Sequence, residues 1–372
     1  MLLRGLVSLL AAGTLTAQDR VRTTEGTVPM GATVRLQVIT RGSVVVRGSA
    51  GDRVTYKLVE RGKSRRLFGD VTTTTRVMGD LTRLVLAPAS AAGAITRLEL
   101  NVPHQVLAAI LETELGGIEA YDVDGSLEAV TTGGPIHCDR IRGGVVGRTG
   151  GGEIRLGKIG GPARCVSGGG SIYVDSVGGE ANCETAGGDI VVRKAGGPLV
   201  LSTEGGNIQV ERAASTVEAH SAAGVIEVSQ AGGQVLADTR GGSIQVGSAR
   251  GVRCESMAGT IRVKTASGPL RVSTALGSIL AELLAGARLD ESSLVAGAGD
   301  ITVLIPSNLA LSVMARNDSG GNPRIVSDFS EIHGKTIGFS RPPLVAEGAI
   351  NGGGPVLRIN AAGGTIYLRK LK

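Results

Sequence analysis

Apolar residues recur along most of this chain in nine-residue blocks divided by glycine pairs, as in "GGSIYVDSVGGEANCETAGGDIVVRKA" at 169–195. Two kinds of block alternate. One reads G-G-x-Ile-x-Val-x-x-Ala, as in "GGDIVVRKA", "GGNIQVERA" and "GGSIQVGSA". The other carries smaller residues, as in "GGEANCETA", "GGPLVLSTE" and "GGQVLADTR". The repeating unit is therefore 18 residues and holds two strands. Stacked on that period, Ile154, Ile172, Ile190, Ile208, Ile226, Ile244, Ile261 and Ile279 form one column. Leu156, Val174, Val192, Val210, Val228, Val246 and Val263 form a second, two residues on. A separation of two puts both columns on one face of a strand. In the other half-coil, Ala163, Ala181, Leu199, Val217 and Val235 form one inward column. Cys165, Cys183, Leu201, Ala219, Ala237 and Cys254 form the next. Ala214–Ser215 replaces one glycine pair, and one residue drops out near Gly251.

This pattern predicts an all-β fold, a parallel β-solenoid of 18-residue coils with two strands per coil. The glycines then mark corners, where the backbone needs positive φ or close approach to the next coil. Ser167, Thr185, Thr203, Ser221, Thr239, Ser256 and Thr274 make a hydroxyl column just before one corner. Its parity places it inward, so hydrogen bonding to corner backbone is the expected role. A nucleotide loop is excluded, because no G-x-x-x-x-G-K-[ST] occurs. A calcium β-roll needs Gly fourth and Asp sixth in its nine-residue unit. Ile and Val hold those places here.

The repeat covers 116–306. Residues 19–115 and 307–372 read as β-rich terminal caps, built from stretches such as "TVRLQVIT", "GSVVVRGS", "DRVTYKLVE" and "ITRLELNVP". The segment 317–350 reads as loop-rich. The opening "MLLRGLVSLLAAGTLTAQ", 1–18, has the basic start, short apolar run and small residues of a secretory signal. Export to the periplasm, cell surface or medium is the expectation. No later apolar run is long enough for a transmembrane helix.

Composition sharpens the picture. The chain of 372 residues has 59 Gly, 12 Pro, no Trp and a net charge of +6. Nucleic acid is not an expected partner, since stacking aromatics are scarce and export is expected. The charge instead suggests an acidic envelope polymer or a protein partner, met at a basic surface of Arg253, Arg262, Lys264 and Arg271. Arg65 and Arg66, in "ERGKSRRLF", could add to it, although a solvated loop is the plainer reading of that run. Cys165 and Cys183 stack one coil apart, within disulfide reach, but their parallel side chains favour buried free thiols. "YDVDGS" places Asp122 and Asp124 beside Gly125, and lacks the acidic twelfth position of a calcium loop, so a turn is expected. His104, His137, His220 and His333 are scattered, and no catalytic, cofactor or metal residues are nominated.

"LELNVP" at 98–103, "GDITVLIP" at 299–306 and "INGGGPVLRINAAGGTIYLRK" at 350–370 resemble the bacterial putative-adhesin family, related to autotransporter adhesin-head repeats. The resemblance covers roughly the whole chain after the leader. It implies an exported or envelope-attached protein without established catalytic residues. The expected function is a non-enzymatic exported scaffold that adheres or binds. Two alternatives stand beside it. A carbohydrate-active enzyme of the polysaccharide-lyase kind would need paired acidic groups in an exposed groove. An envelope-stress accessory protein has no residue signature of its own.

Overall fold

The computed structural model describes residues 20–28, 35–62, 72–78, 81–87, 95–104, 106–319, 324–336 and 344–371. The stretch 1–18, expected to be a secretory leader, and the pair Arg65 and Arg66 lie outside them. The described residues form strands and turns and no helix. The chain divides into two compact units, Met1–Gly178 and Gly179–Lys372, and each contains two stacked-strand sheets, A and B.

In the first unit, sheet A runs Arg20–Val28, Val54–Gly62, Ile95–Pro103, Ser43–Ser49, Ile118–Tyr121, Ile136–Asp139, Ile154–Ile159 and Ile172–Val177. The two outermost pairings are antiparallel and the rest parallel. Sheet B runs Thr72–Met78, Leu81–Ala87, Arg35–Thr40, Ala108–Thr113, Ser126–Thr131, Val145–Thr149 and Ala163–Ser167. It too begins with an antiparallel pair. Ser43–Ser49 thus enters sheet A between strands that follow it by many residues in sequence.

The second unit repeats the design. Its sheet A stacks Ile190–Ala195, Ile208–Ala213, Ile226–Ala231, Ile244–Ala249, Ile261–Ala266, Ile279–Leu283 and Ile301–Pro306 in parallel. The final strand, Thr365–Leu371, pairs with Ile301–Pro306, and Arg324–Ser327 follows beyond it. Sheet B ends on Leu344–Ile350 and His333–Thr336, which pair antiparallel. The segment expected to be loop-rich thus contributes three strands. Antiparallel turns at a solenoid end break the template that a bare edge would offer to another chain.

The columns read from the sequence are the core. Ile190 pairs in register with Ile208, and Val192 with Val210. Ile172, Ile190, Ile226 and Ile244 have no exposed surface. Each such side chain contributes about 1.5–3 kcal/mol by leaving water. The lost residue near Gly251 leaves the ladder intact, with Val235 opposite Val252. After each Val the ladder passes over one residue without changing register, so Val192 opposite Val210 is followed by Lys194 opposite Arg212. That local kink, repeated in successive strands, turns Ala195, Ala213, Ala231 and Ala249 inward as a third buried column and leaves two side chains in a row facing out.

The corner after sheet B explains the glycine and hydroxyl columns together. The Thr203 hydroxyl donates to the Gly188 carbonyl (2.9 Å) and accepts from the Gly206 N–H (3.1 Å). Ser221 does the same with Gly206 and Gly224, and Thr239 with Gly224 and Gly242. The hydroxyls are buried and fully used, as the sequence parity suggested. Coils meet so closely there that a Cβ on Gly224 would lie 1.9 Å from the Gly206 carbonyl oxygen. Close approach, not left-handed backbone, is what requires that glycine. The first glycine of such a pair is free of this constraint: a Cβ on Gly169 would meet nothing within 4 Å. Ala223 and Ala258 occupy that first place without trouble.

Candidate functional site

The basic residues nominated from sequence do not form one surface. Arg262 and Lys264 face outward from sheet A of the second unit, on the strand Ile261–Ala266. Arg253 and Arg271 face outward from sheet B, as direct cross-strand neighbours. Sequence alternation carries the reason, because successive half-coils supply different sheets. Arg253 is also held by Glu255, at 3.4 Å. Arg262 and Lys264 border a small hollow of about 180 Å³ with Glu227, Ser229, Gln245 and Gly247.

Other chemistry-bearing residues are spent on structure. The four cysteines are free and buried, and burial pushes the Cys138 thiol up to about 12. Asp122 receives two hydrogen bonds from the Arg140 guanidinium, which hold its carboxyl below the ordinary carboxylate range. Asp124 pairs with His104 (2.9 Å) and Arg142 (3.3 Å). "YDVDGS" is therefore a turn whose acids tie one coil to the next. Among the described residues, no group of three His, Cys, Asp or Glu side chains is placed to hold a metal ion.

A different site emerges on sheet A of the first unit. The outward residues of adjacent strands line up as Glu25, Lys57, Glu99, Val45, Glu119 and His137 in one row. Thr27, Thr55, Asn101, Arg47 and Tyr121 form the next row. Lys57 pairs with Glu25 at 3.4 Å. Arg97 pairs with Glu99 at 3.0 Å and with Glu119 at 3.8 Å. The Asn101 amide donates to Thr55 at 3.1 Å. Arg47 lies over the Tyr121 ring, 5.1 Å from its centroid, and His137 meets the same ring edge-on at 5.5 Å. The Tyr121 hydroxyl donates to Glu119 at 3.2 Å. Burial raises the Tyr121 pKa, and the Glu119 carboxylate adds to the rise. Arg155 covers Tyr173 in the same way further along.

The first three strands and Ser43–Ser49 form an open hollow of about 480 Å³. Glu25, Thr27, Arg47, Thr55, Lys57, Glu99 and Asn101 line it, and Val45 lies in its floor, 1% exposed although it faces outward. The sequence offered no periodic signal for this site. Arg47, Glu99 and Tyr121 meet only because Ser43–Ser49 enters the sheet out of chain order. The run "SVVVRGS", apolar on both faces of a strand, was the one local hint of an outward residue that is covered.

No protein-family model and no curated protein matches the chain. Among solved structures it is similar to a protein described as a putative adhesin from Bacteroides fragilis, at 11% identity and TM-score 0.25, covering 95% of this chain and 97% of that one. It is similar to one described as a putative lipid binding protein from Parabacteroides distasonis, at 13% identity and TM-score 0.25, covering 96% and 98%. A third, described as a putative adhesin from Parabacteroides merdae, shares 9% identity with a TM-score of 0.28 over 77% and 97%. Likeness at this level carries no argument, and the functional reading rests on the chain's own residues.

Proposed function

We propose that this chain is an exported, non-enzymatic β-solenoid that presents a binding face, a scaffold of the adhesin kind that its sequence resembles. The observation that carries the proposal is the outer face of sheet A in the first unit. Ionic, amide and aromatic groups gather there around an open hollow, on a rigid stack of paired strands. Binding sites of this type are concave and largely preformed. The carboxylates of the hollow favour adhesion over turnover. Glu25 is matched by Lys57, and Glu99 and Glu119 share Arg97, an arrangement of structural ion pairs rather than an acid–base couple. The partner is an envelope polymer or an envelope protein, and Arg262 with Lys264 provides a second, cationic contact for acidic stretches of it.

The test is retention of the purified chain on outer membrane, peptidoglycan and soluble polysaccharide fractions at low and moderate salt. Saturable retention on one fraction, weakened by Arg47→Ala, is the expected result. Absence of retention on all three removes the binding reading, and turnover of a polysaccharide would replace it with an enzymatic one.

A further inference from the structure

The hollow in the first unit has a chemistry specific enough to name a ligand class. Its surroundings hold three carboxylates, Glu25, Glu99 and Glu119, and three cations, Arg47, Lys57 and Arg97, so formal charge cancels. A phosphate, sulfate or uronate entering there would lie against Glu25 and Glu99 as much as against Arg47 and Lys57. A hydrocarbon ligand would find Val45 and Leu100, each 1% exposed, and Tyr56 among side chains that are otherwise mostly polar, and so little apolar surface to cover. An extended peptide usually binds by adding its backbone to a free sheet edge. Here Val54–Gly62, Ile95–Pro103 and Ser43–Ser49 are each paired on both sides, so among the described residues a peptide could add only along the outer side of Arg20–Val28, at the rim of the hollow and not across its floor.

What remains suits groups that donate and accept at once. Glu25 and Glu99 accept, Arg47 and Lys57 donate, and Asn101, Thr27 and Thr55 can do both. A run of ring hydroxyls on an uncharged sugar matches that mixture. The volume, about 480 Å³, lies within the roughly 300–1,000 Å³ of small-molecule sites. We propose that this hollow binds an uncharged glycan segment through its hydroxyls. The inference rests on the binding-scaffold reading above and narrows it to one ligand class.

The experiment titrates the full purified chain with short neutral oligosaccharides of glucose, mannose, galactose, xylose and N-acetylglucosamine, and with polygalacturonate as the charged comparison. Calorimetry and saturation-transfer NMR report binding, and a thermal melt confirms that each variant is folded. Retention on envelope fractions is measured in parallel. One neutral sugar should bind saturably, with little change between low and moderate salt. Asn101→Leu and Glu99→Gln should each weaken it by roughly tenfold, the loss of one or two hydrogen bonds. Arg262→Ala, in the other unit, should leave it unchanged. Binding of polygalacturonate alone, or sugar binding indifferent to Asn101→Leu and Glu99→Gln, overturns the assignment. Envelope retention with no sugar bound also overturns it while leaving the binding scaffold standing. Loss of both removes the two readings together.

Discussion

Sheet A of the first unit and sheet A of the second share one interior and differ in most of what faces water. Inside, Ile154 and Ile172 of the first match Ile208 and Ile226 of the second, all essentially without exposed surface. Outside, the first carries Tyr121, His137 and Tyr173 interleaved with Arg47, Glu119 and Arg155. The second carries Gln209, Glu227, Gln245 and Arg262 in the equivalent outward column, and an aromatic ring returns in it at Tyr367, on the last-paired strand, under Arg369 at 5.2 Å. The common interior sets the fold, so it cannot distinguish the units functionally. The outer faces, released from that constraint, are where function can differ.

The largest test of this contrast attacks what the units share. Ile154→Asp and Ile226→Asp each place a carboxylate among buried aliphatic side chains. Each should cost about 4–5 kcal/mol or more, the range of a buried unpaired charge. A cooperative, near-native circular dichroism melt in either would contradict the stacked ladder.

The corner gives the next effect. Gly224→Ala forces a methyl against the Gly206 carbonyl and should cost about 3 kcal/mol in a denaturant titration. Gly169→Ala, which meets open space, should stay within about 0.5 kcal/mol of the parent. Equal effects would mean that glycine serves both corner positions through chain flexibility alone. Thr203→Val tests the hydroxyl ladder beside it. It leaves the Gly206 N–H without its acceptor and the Gly188 carbonyl without its donor, for about 1–3 kcal/mol. A neutral result would make the column a packing feature only.

The smallest effect is electrostatic. Asp328 accepts from Arg369 at 2.8 Å and from the Lys370 N–H at 3.2 Å, and the Arg369 hydrogen bond is the main cause of its lowered pKa. A carboxyl with a depressed folded pKa stabilises fully above its unfolded value, about 3.9. That contribution fades as pH falls through the folded value. Asp328→Asn should therefore lower stability slightly at neutral pH and leave it nearly unchanged below the folded pKa, which flattens the acid limb of a stability–pH curve. An altered alkaline limb would contradict this account.

The sequence made the interior legible because burial imposes a period, and a period can be read from one chain. Ile190, Val192 and Thr203 each fell where the columns put them. The split of Arg253 and Arg271 from Arg262 and Lys264 was also present in the alternation of half-coils. It needed each basic residue to be assigned to its own half-coil before grouping. The hollow was not legible. Outward positions obey no repeat, and Arg47, Glu99 and Tyr121 are joined by a strand inserted out of chain order. The third inward column, Ala195 and its equivalents, was hidden by the one-residue irregularity that breaks simple alternation.

The central claim is that binding resides on the outer face of the first unit, and one comparison tests it most directly. Retention of the chain on its preferred envelope fraction is measured beside that of Asn101→Leu and of the double variant Arg262→Ala, Lys264→Ala, all with unchanged melts. The account predicts that Asn101→Leu loses most of the retention at every salt concentration, while the double variant keeps most of it. Full retention by Asn101→Leu together with its loss in the double variant would move the site to the second unit and contradict the account.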